Sequence, residues 1–347
     1  MKFWISSISS TSSTTNWSYY RDIVITNQSG TLTEYQVKIQ IPYNSNMQTD
    51  FDDVRITDTS NVLLGQWRET YTSGTETRFV KVPTIPPSGS TTVRMHYGNS
   101  NASSVSSVTN TFIREISGLK GAWQLDEGTG TIANDTSGNG YNGTLTNGAS
   151  FITSGGKFGN AVQVDGTDDV VDIANFPFPS SFSFVTWAKP YATSSSQRAL
   201  MRIDTNGAPS IYHEQTNYWK VYSTANGFLS SGVSIVENTL YHLAFTFDET
   251  RKIYVDGVFK ASDTTTYGAG TNTLKIGGDA YSQMFYGNVS NALMFNSVLL
   301  DAEISDLYNN YGYSTTNYPG KVLVKKYASP EPTYTIGSVE YTSTYSE

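Results

Sequence analysis

The chain has 347 residues, which is more than one small domain needs and suits two domains. It contains no cysteine, which excludes disulfides, thiol catalysis and cysteine-bound zinc, and its formal charge of −8 argues against a nucleic-acid-binding protein. Tyrosine is frequent (24 residues) and charged residues make up only 15%. This composition is typical of alternating strands joined by polar loops, so we expect an all-β fold.

The N-terminal segment reads MKFWISSISSTSSTTNW and lacks the apolar stretch that a signal peptide requires. We therefore expect either that a signal has been removed or that export needs none, as for a virion protein. No apolar run is long enough to span a membrane, so no membrane span is expected.

Period-two alternation dominates the first hundred residues. In RDIVITNQSG it places Ile23 and Ile25 on one face of a strand, and YQVKIQI repeats the pattern. Further alternating segments are DDVRITD, TRFVKVP and TTVRMHYG. The sequence predicts an antiparallel β-sandwich within a first domain of residues 1–114, which ends in a Ser/Asn-rich surface linker.

Several blocks of this first domain resemble an uncharacterised family, domain of unknown function 2341. The blocks are NWSYYRDIVITNQSGTLTEYQVKIQI, DFDDVRITD, LLGQWRE and FVKVPTIPPSGSTTVRMHYGN. That family commonly precedes lectin-like domains in surface proteins of archaea, bacteria and viruses. The resemblance implies an extracellular, cell-surface or virion setting and supplies no chemistry.

Short, evenly spaced strand candidates follow from about Gly118 onwards, as in all-β sandwiches. The clearest hairpin is KIYVDGVFK, whose Asp256-Gly257 pair predicts a two-residue turn. One short helix is expected near the end, in LLDAEISDLYNNYG, with Asp301 as its N-cap and Gly312 beyond its end. The alternating segments VLVKKY and TYTIGSVEYT form a tail, residues 312–347, which we expect to add at least one strand to the first domain.

The second domain, residues 115–311, resembles the LamG-like branch of the concanavalin A-like lectin/glucanase superfamily. The resemblance rests on GAWQLDEGTGTIANDTSGNGYNGTL, GKFGNAVQVDGTDDVVDI, FSFVTWAKP, YHLAFTFDETRKIYVDGVF and YGNVSNALMFNSVLLDAEISDLY. It implies a jelly roll of two curved antiparallel sheets. It also implies that any ligand lies on the concave sheet or on its rim of loops.

The loop LDEGTGTIANDTSGNGYNGTL raises the question of calcium. Asp126, Asp135 and Asn139 offer hard oxygen ligands there, and the resemblance adds weight, because LamG-like domains often carry one calcium near such loops. Asx and Gly residues are equally typical of turns, so a purely structural loop remains the alternative. Many relatives also have an acidic pair in the last core strand, where this chain has NVSNALMF.

A second acidic stretch, VDGTDDVVDI, reads as a solvated hairpin turn. Its Asp168 and Asp169 are the alternative candidates for a metal site.

Catalysis is not expected. A sandwich glycosidase needs two facing acids, and residues i and i+2 of a strand share a face, but no strand candidate carries acids at such spacing. The histidines, His96, His213 and His242, show no spacing to a serine or carboxylate that suggests a catalytic unit.

Aromatic side chains are the remaining candidates for binding. Two segments, SIYHEQTNYWKVYST and GDAYSQMFYGN, gather rings that we expect in polar loops: Tyr212, Trp219, Tyr222, Tyr281 and Tyr286. Aromatic rings stack on the apolar faces of sugars. Subunit contact or ordinary sheet packing is the alternative, because tyrosine favours strands.

The sequence therefore favours a non-catalytic adhesion or recognition protein, in which the LamG-like domain binds a glycan or a host-surface protein. The alternative is a structural subunit of a capsid, spike or filament without a free ligand; a glycoside hydrolase is the third hypothesis. Tyr212, Trp219 and Tyr286 distinguish the first two, because recognition requires exposed rings and assembly requires covered ones. Self-association into a larger particle is expected in either case.

Overall fold

The computed structural model describes residues 16–192, 197–203, 209–214, 217–267, 270–279 and 283–342. Its chain forms two compact units: Met1–Ile113 together with Lys325–Glu347, and Arg114–Val324. Both are built almost entirely from antiparallel strands, which confirms the all-β fold. None of the helices in the described residues has the length and apolarity needed to cross a membrane.

The elements are numbered along the chain. Those before the second unit are β1 (Tyr19–Thr26), β2 (Leu32–Pro42), β3 (Arg55–Thr57), β4 (Gln66–Tyr71), β5 (Thr75–Ile85), β6 (Ser90–Tyr97) and α1 (Val108–Thr111). Those of the second unit, up to the helix, are β7 (Arg114–Ser117), β8 (Leu119–Trp123), β9 (Ile132–Ala133), β10 (Gly143–Thr146), β11 (Ser150–Gly156), β12 (Gly159–Asp165), β13 (Val170–Phe178), β14 (Phe182–Pro190), β15 (Arg198–Ile203), β16 (Ser210–Glu214), β17 (Tyr218–Ser223), β18 (Gly227–Ser234), β19 (Tyr241–Phe247), β20 (Thr250–Val255), β21 (Val258–Thr264), β22 (Gly270–Ile276) and β23 (Tyr286–Phe295). The last are α2 (Asp301–Asn309), β24 (Tyr311–Tyr313), β25 (Lys321–Lys325), β26 (Thr333–Ile336) and β27 (Glu340–Tyr341).

The first unit is a sandwich of two sheets, with strand orders β26-β1-β6-β3 and β2-β5-β4. Ile23 and Ile25 of β1 are fully buried in its core, as their alternation predicts. The tail strands β26 and β27 both pair with β1. Residues 312–324, which we expected in this tail, lie in the second unit instead, because β25 pairs with β7.

The second unit contains two eight-stranded sheets that enclose a large apolar core. One sheet has the order β18-β17-β16-β15-β22-β13-β10-β9. The other has the order β11-β12-β23-β14-β19-β20-β21, with β8 also pairing with β23. Alternate side chains of both sheets point between them, including the fully buried Trp123 and Trp219.

The outer faces of these two sheets differ. Against the sheet that contains β14, β19 and β23 pack helix α2 and strands of the small sheet β24-β25-β7. Their contacts bury Val185, Ala244 and Leu293 of the sheet against Ile304 and Leu307 of the helix. We call this sheet the covered sheet and the other, from β18 to β9, the open sheet.

Two local predictions near the covered sheet can be compared with the structure. Asp256 and Gly257 both have positive φ, of 53° and 75°, which is the geometry of the predicted hairpin turn. The helix begins one residue earlier than expected: Leu300 is its N-cap, and Asp301 is its first helical residue. The Glu303 carboxylate accepts a hydrogen bond from the Leu300 N–H at 2.8 Å, which caps this end of the helix.

Candidate functional site

The register of the open sheet aligns one outward side chain from each of its eight strands. From one edge to the other the row is Ile132, Thr144, Asp172, Lys275, Arg202, Ser210, Tyr222 and Phe228. Their sequence neighbours, such as Leu145 and Val221, point into the core. Strand alternation therefore builds a row across the outer face that is polar and aromatic apart from Ile132, and in which Arg202 and Ser210 are buried.

Three aromatic rings meet at the β16–β18 end of this row. The ring centroids of Tyr222 and Phe228 are 5.0 Å apart, and Tyr212 lies 6.3 Å from Tyr222 and 5.5 Å from Phe228. Tyr222 and Phe228 are half-buried, whereas Tyr212, which packs against both rings, is only 2% exposed. The Lys220 ammonium lies 5.8 Å from the Phe228 centroid. We call Tyr212, Tyr222 and Phe228 the aromatic group; it offers partly exposed ring surface to a ligand.

Charged side chains occupy the middle of the row. The Arg202 guanidinium donates a hydrogen bond to the Tyr212 hydroxyl and lies 3.3 Å from a carboxylate oxygen of Asp279. Next to it, the Lys275 ammonium pairs with the Asp172 carboxylate. Burial raises the pKa of the Tyr212 hydroxyl, so this group stays neutral at physiological pH. The face thus presents fixed hydrogen-bonding groups beside the rings, with its charges largely balanced.

Trp219 does not belong to this face, which corrects the expectation of an exposed ring. It is fully buried between the sheets, where its ring centroid lies 5.6 Å from that of Tyr241 and 6.3 Å from that of Phe285. The reason is alternation along β17, since residues 219 and 221 point inward while 220 and 222 point outward. The expected exposure of Tyr212 is wrong as well, because neighbouring rings and Arg202 cover it.

Tyr286, the predicted residue of the second segment that the structure describes, does not join the aromatic group. Tyr286 is 38% exposed and packs edge-on against Tyr191, with centroids 5.5 Å apart. Tyr281 lies outside the described residues. Of the four predicted ligand-binding residues that the structure describes, it brings Tyr212 and Tyr222 together.

Phe228, Arg202 and Lys275 are among the residues of the row that sequence reasoning missed. The signal that identifies the first was present in YWKVYSTANGFLSS, which is a hairpin of two alternating strands. Its register sets Phe228 opposite Tyr222. Arg202 and Lys275 come from β15 and β22, which are distant in sequence, and only the sheet order shows that they are neighbours.

The residues proposed for calcium in the opening loop do not fit that ion. Oδ1 of Asp135 accepts hydrogen bonds from the N–H groups of Ala122 and Ser137 at 3.0 and 2.9 Å. Oδ2 accepts from the Ser137 hydroxyl and the Tyr141 N–H, both at 2.9 Å. Four protein donors thus use both carboxylate oxygens, as in a structural turn, and leave little for a cation.

Asn139, the second predicted ligand of this loop, is also engaged by the protein. The Asn139 side chain uses its amide nitrogen to donate to the backbone carbonyls of Leu119 and Lys120 at 3.3 and 3.1 Å. Asp126 is exposed, and its backbone carbonyl accepts from the Asn160 amide at 3.0 Å. The loop is therefore held by its own hydrogen bonds.

His242 lies on the outer side of the covered sheet and is completely buried there. Its ring packs against those of Trp187 and Tyr308, with centroids 5.1 and 5.8 Å away. Burial lowers the pKa of His242 to about 3, so the imidazole is neutral over the physiological range. Neither ring nitrogen has a hydrogen-bond partner, which is consistent with a packing role.

Residues 165–305 match the family model described as the concanavalin A-like lectin/glucanases superfamily, and residues 50–126 match domain of unknown function DUF2341. Both resemblances are confirmed. No curated protein sequence matches the chain.

Several solved structures are similar to part of the chain. Domain 4 of AbnA, an extracellular arabinanase from Geobacillus stearothermophilus solved with arabinotriose, is 20% identical with a TM-score of 0.48, over 55% of this chain and 98% of that one. The binding domain of Paraclostridial Mosquitocidal Protein 1 is 12% identical with a TM-score of 0.46, over 58% and 55%. Trypanosoma rangeli sialidase is 15% identical with a TM-score of 0.44, over 65% of this chain and 41% of the sialidase.

Proposed function

We propose that the chain is a non-catalytic recognition protein whose second unit binds a glycan on the open sheet. The row of outward side chains across that sheet carries the proposal. The aromatic group provides ring surface, and Arg202, Lys275 and Asp172 stand beside it with hydrogen-bonding atoms. Sugars combine apolar ring faces with hydroxyl groups, and this face offers a complement to both.

The contrast with the covered sheet supports this assignment. There, outward apolar side chains such as Val185, Ala244 and Leu293 are buried by α2 and strands of the small sheet. On the open sheet the outward positions of β17 are Tyr218, Lys220 and Tyr222, all half-buried. A strand whose second face is polar and aromatic suits a wet binding surface better than a packed interface.

Catalysis is not part of the proposal. Hydrolysis of a glycoside requires two acids that flank the scissile bond. Two carboxylates near the row, those of Asp172 and Asp279, are each held in an ion pair, with Lys275 and Arg202. We assign them to holding the row in place.

The wider role proposed for the protein is display on a cell surface or virion, with the first unit as an adaptor and a host glycan as the partner. This rests on the order of the two matched families and on a cysteine-free chain of two sandwiches. We further propose that the protein assembles into a larger particle.

One observation favours the structural alternative. Strand β21 is an edge of the covered sheet, and its Val258 and Phe259 are 55% and 44% exposed. Exposed apolar edge strands pair readily with other chains. A subunit of a capsid or filament would use such an edge, and this role is compatible with a glycan site on the open sheet.

A glycan array tests the proposal with two matched variants. Tyr222→Ala removes a ring from the open face, and Phe259→Ala removes a ring from the edge of the covered sheet, where Phe259 is more exposed than Tyr222. We expect the wild type and Phe259→Ala to bind the same glycans. Tyr222→Ala should lose about tenfold or more in affinity, as for an aromatic contact at a binding site.

The proposal fails if the wild type binds no glycan, or if Tyr222→Ala binds as well as Phe259→Ala does. Melting curves of all three proteins show whether each variant is folded, so that lost binding is not mistaken for lost structure.

A further inference from the structure

Arg251, which belongs to the covered sheet, contacts the hairpin that carries two rings of the aromatic group. Its side chain extends from β20 and is fully buried. Its Nη1 donates to the backbone carbonyls of Gly227 and Val221 at 2.8 and 3.4 Å and to the Ser223 hydroxyl at 3.3 Å. Gly227 and Val221 each directly precede a ring-bearing residue of the aromatic group. One guanidinium therefore holds the peptide groups beside both rings.

A salt bridge fixes this guanidinium from its other side. Nε and Nη2 of Arg251 donate to the two carboxylate oxygens of Asp263 on β21, at 2.5 and 2.8 Å. Such a bidentate pair sets the plane of the guanidinium and leaves Nη1 for the hairpin. The hairpin β20–β21 of the covered sheet thus supports the hairpin β17–β18 of the open sheet.

Two further hydrogen bonds join the same hairpin to the chain that follows β20. The Tyr267 hydroxyl donates to the backbone carbonyl of Tyr222. The Asn226 amide, in the turn of the hairpin, donates to the Thr264 carbonyl at 2.6 Å. Among the described strands, β18 is the last of the open sheet, so this hairpin has a neighbouring strand, β16, on one side only. The bonds from Arg251, Tyr267 and Asn226 fix its other side.

The placement of the two rings matters for stacking. The rings of Tyr222 and Phe228 are 5.0 Å apart, with their planes at 54°. Stacking on a sugar depends on dispersion, and a gap of about 0.5–1 Å already removes a quarter to a half of the attraction between two atoms. A small displacement of the hairpin would therefore weaken contact with a ligand that meets both rings.

Stability alone does not explain a charged side chain at this position. Burying a guanidinium costs free energy, and apolar residues of similar volume often stabilise a protein as well as a buried ion pair does. The planar guanidinium differs from an apolar residue in donating along fixed directions. We propose that Arg251 is a positioning residue, which sets the separation and tilt of the Tyr222 and Phe228 rings for binding. This inference rests on the glycan site proposed above.

The first test follows the ring of Tyr222 without a ligand. The full chain is labelled with 3-fluorotyrosine, and the ¹⁹F resonance of Tyr222 is identified as the one missing from Tyr222→Phe. Arg251→Met removes the guanidinium, and Asp263→Ala removes the carboxylate that holds it. We expect both variants to shift or broaden the Tyr222 resonance. Asp263→Glu keeps a carboxylate and should restore the resonance at least in part.

The second test measures binding to the same glycan array, at a temperature at which melting curves show every variant to be folded. Arg251→Met and Asp263→Ala should bind about tenfold more weakly than the wild type, as after loss of a ring contact. The matched control is Leu307→Ala, which opens a cavity under α2 on the covered side. It should lower the melting temperature and leave both the Tyr222 resonance and the binding unchanged.

Three results would overturn the proposal: a Tyr222 resonance that is unchanged in Arg251→Met and Asp263→Ala, a shifted resonance with unchanged glycan binding, or a Leu307→Ala control that moves both as far. Asp263 is partly exposed, so Asp263→Ala decides the matter if Arg251→Met does not fold. An array on which the wild type binds no glycan contradicts the proposed function instead, and the resonance then decides by itself whether Arg251 positions the ring.

Discussion

The outer faces of the two large sheets in the second unit have opposite surroundings. Strand β19 of the covered sheet reads YHLAFTF, and all seven residues are buried. Strand β17 of the open sheet reads YWKVYS, and its residues alternate between half-buried and buried. Both strands place one face in the same core, so the difference lies only in what meets the other face.

This comparison shows how a β-sandwich separates stability from recognition. A sheet covered on both sides has apolar residues at nearly every position, because each side chain enters a packed layer. A sheet covered on one side keeps polar and aromatic residues outside, where they are free to contact a ligand. The same alternation therefore yields a structural sheet and a candidate binding sheet within one domain.

The largest expected difference in unfolding free energy is between two variants that place a lysine on the outer face of the covered sheet and of the open sheet. Ala244→Lys puts an ammonium under α2, where Ala244 is 1% exposed, and should destabilise the protein by about 5 kcal/mol. Thr144→Lys puts it on the exposed row opposite Asp172 and should change stability by less than about 0.5 kcal/mol. Urea unfolding curves of both variants provide the comparison. Equal losses would show that the open face is also covered.

The next largest difference in unfolding free energy is expected between alanine variants of two aromatic residues on opposite faces of β17. Trp219→Ala opens a cavity in the core and should cost about 4 kcal/mol of unfolding free energy. Tyr222→Ala removes a half-buried ring from the outer face and should cost less than about 1 kcal/mol. The same unfolding measurement checks both values. A reversed order would mean that the two faces of the strand have been exchanged.

The third-largest effect on stability is expected from lowering the pH, because His242 is buried on the outer side of the covered sheet. The pKa of His242 is lowered to about 3 by burial, against 6.5 for an ordinary histidine. The unfolded state therefore binds a proton below pH 6.5 that the folded state does not bind until about pH 3, so stability falls as the pH drops through this window. Between pH 7 and pH 4.5 the loss attributable to His242 is about 3 kcal/mol.

The test compares unfolding free energies at several pH values in the wild type and in His242→Gln. We expect a shallower dependence on pH in the variant, even if it is less stable throughout. Parallel curves for the two proteins would contradict a neutral, buried His242.

The fold could be predicted from the sequence to a large extent. Alternation identified β1 with its buried Ile23 and Ile25, and the Asp256-Gly257 pair identified the hairpin between β20 and β21. These features depend on neighbours in sequence, whose geometry is fixed by local sterics. Helix α2 was predicted for the same reason, with an error of one residue at its start.

The candidate site was harder to predict, because its members come from separate strands. Reading SIYHEQTNYWKVYST as one polar cluster joined Trp219 to Tyr212 and Tyr222, although alternation places Trp219 on the opposite face. Arg202 and Lys275 gave no local signal, since only the order of β15 and β22 makes them neighbours. The opening loop was ambiguous because an aspartate that binds calcium and one that closes a turn have similar sequence surroundings, and only the four hydrogen bonds to Asp135 distinguish them.

The most direct test of the central claim is a crystal structure of the second unit within the full chain, bound to the glycan that an array identifies. We predict density for a sugar ring against Tyr222 and Phe228, with its hydroxyl groups within hydrogen-bonding distance of Arg202, Lys275 or Asp172. A glycan bound elsewhere, with these five side chains free of contact, would contradict the assignment of the open sheet as the recognition surface.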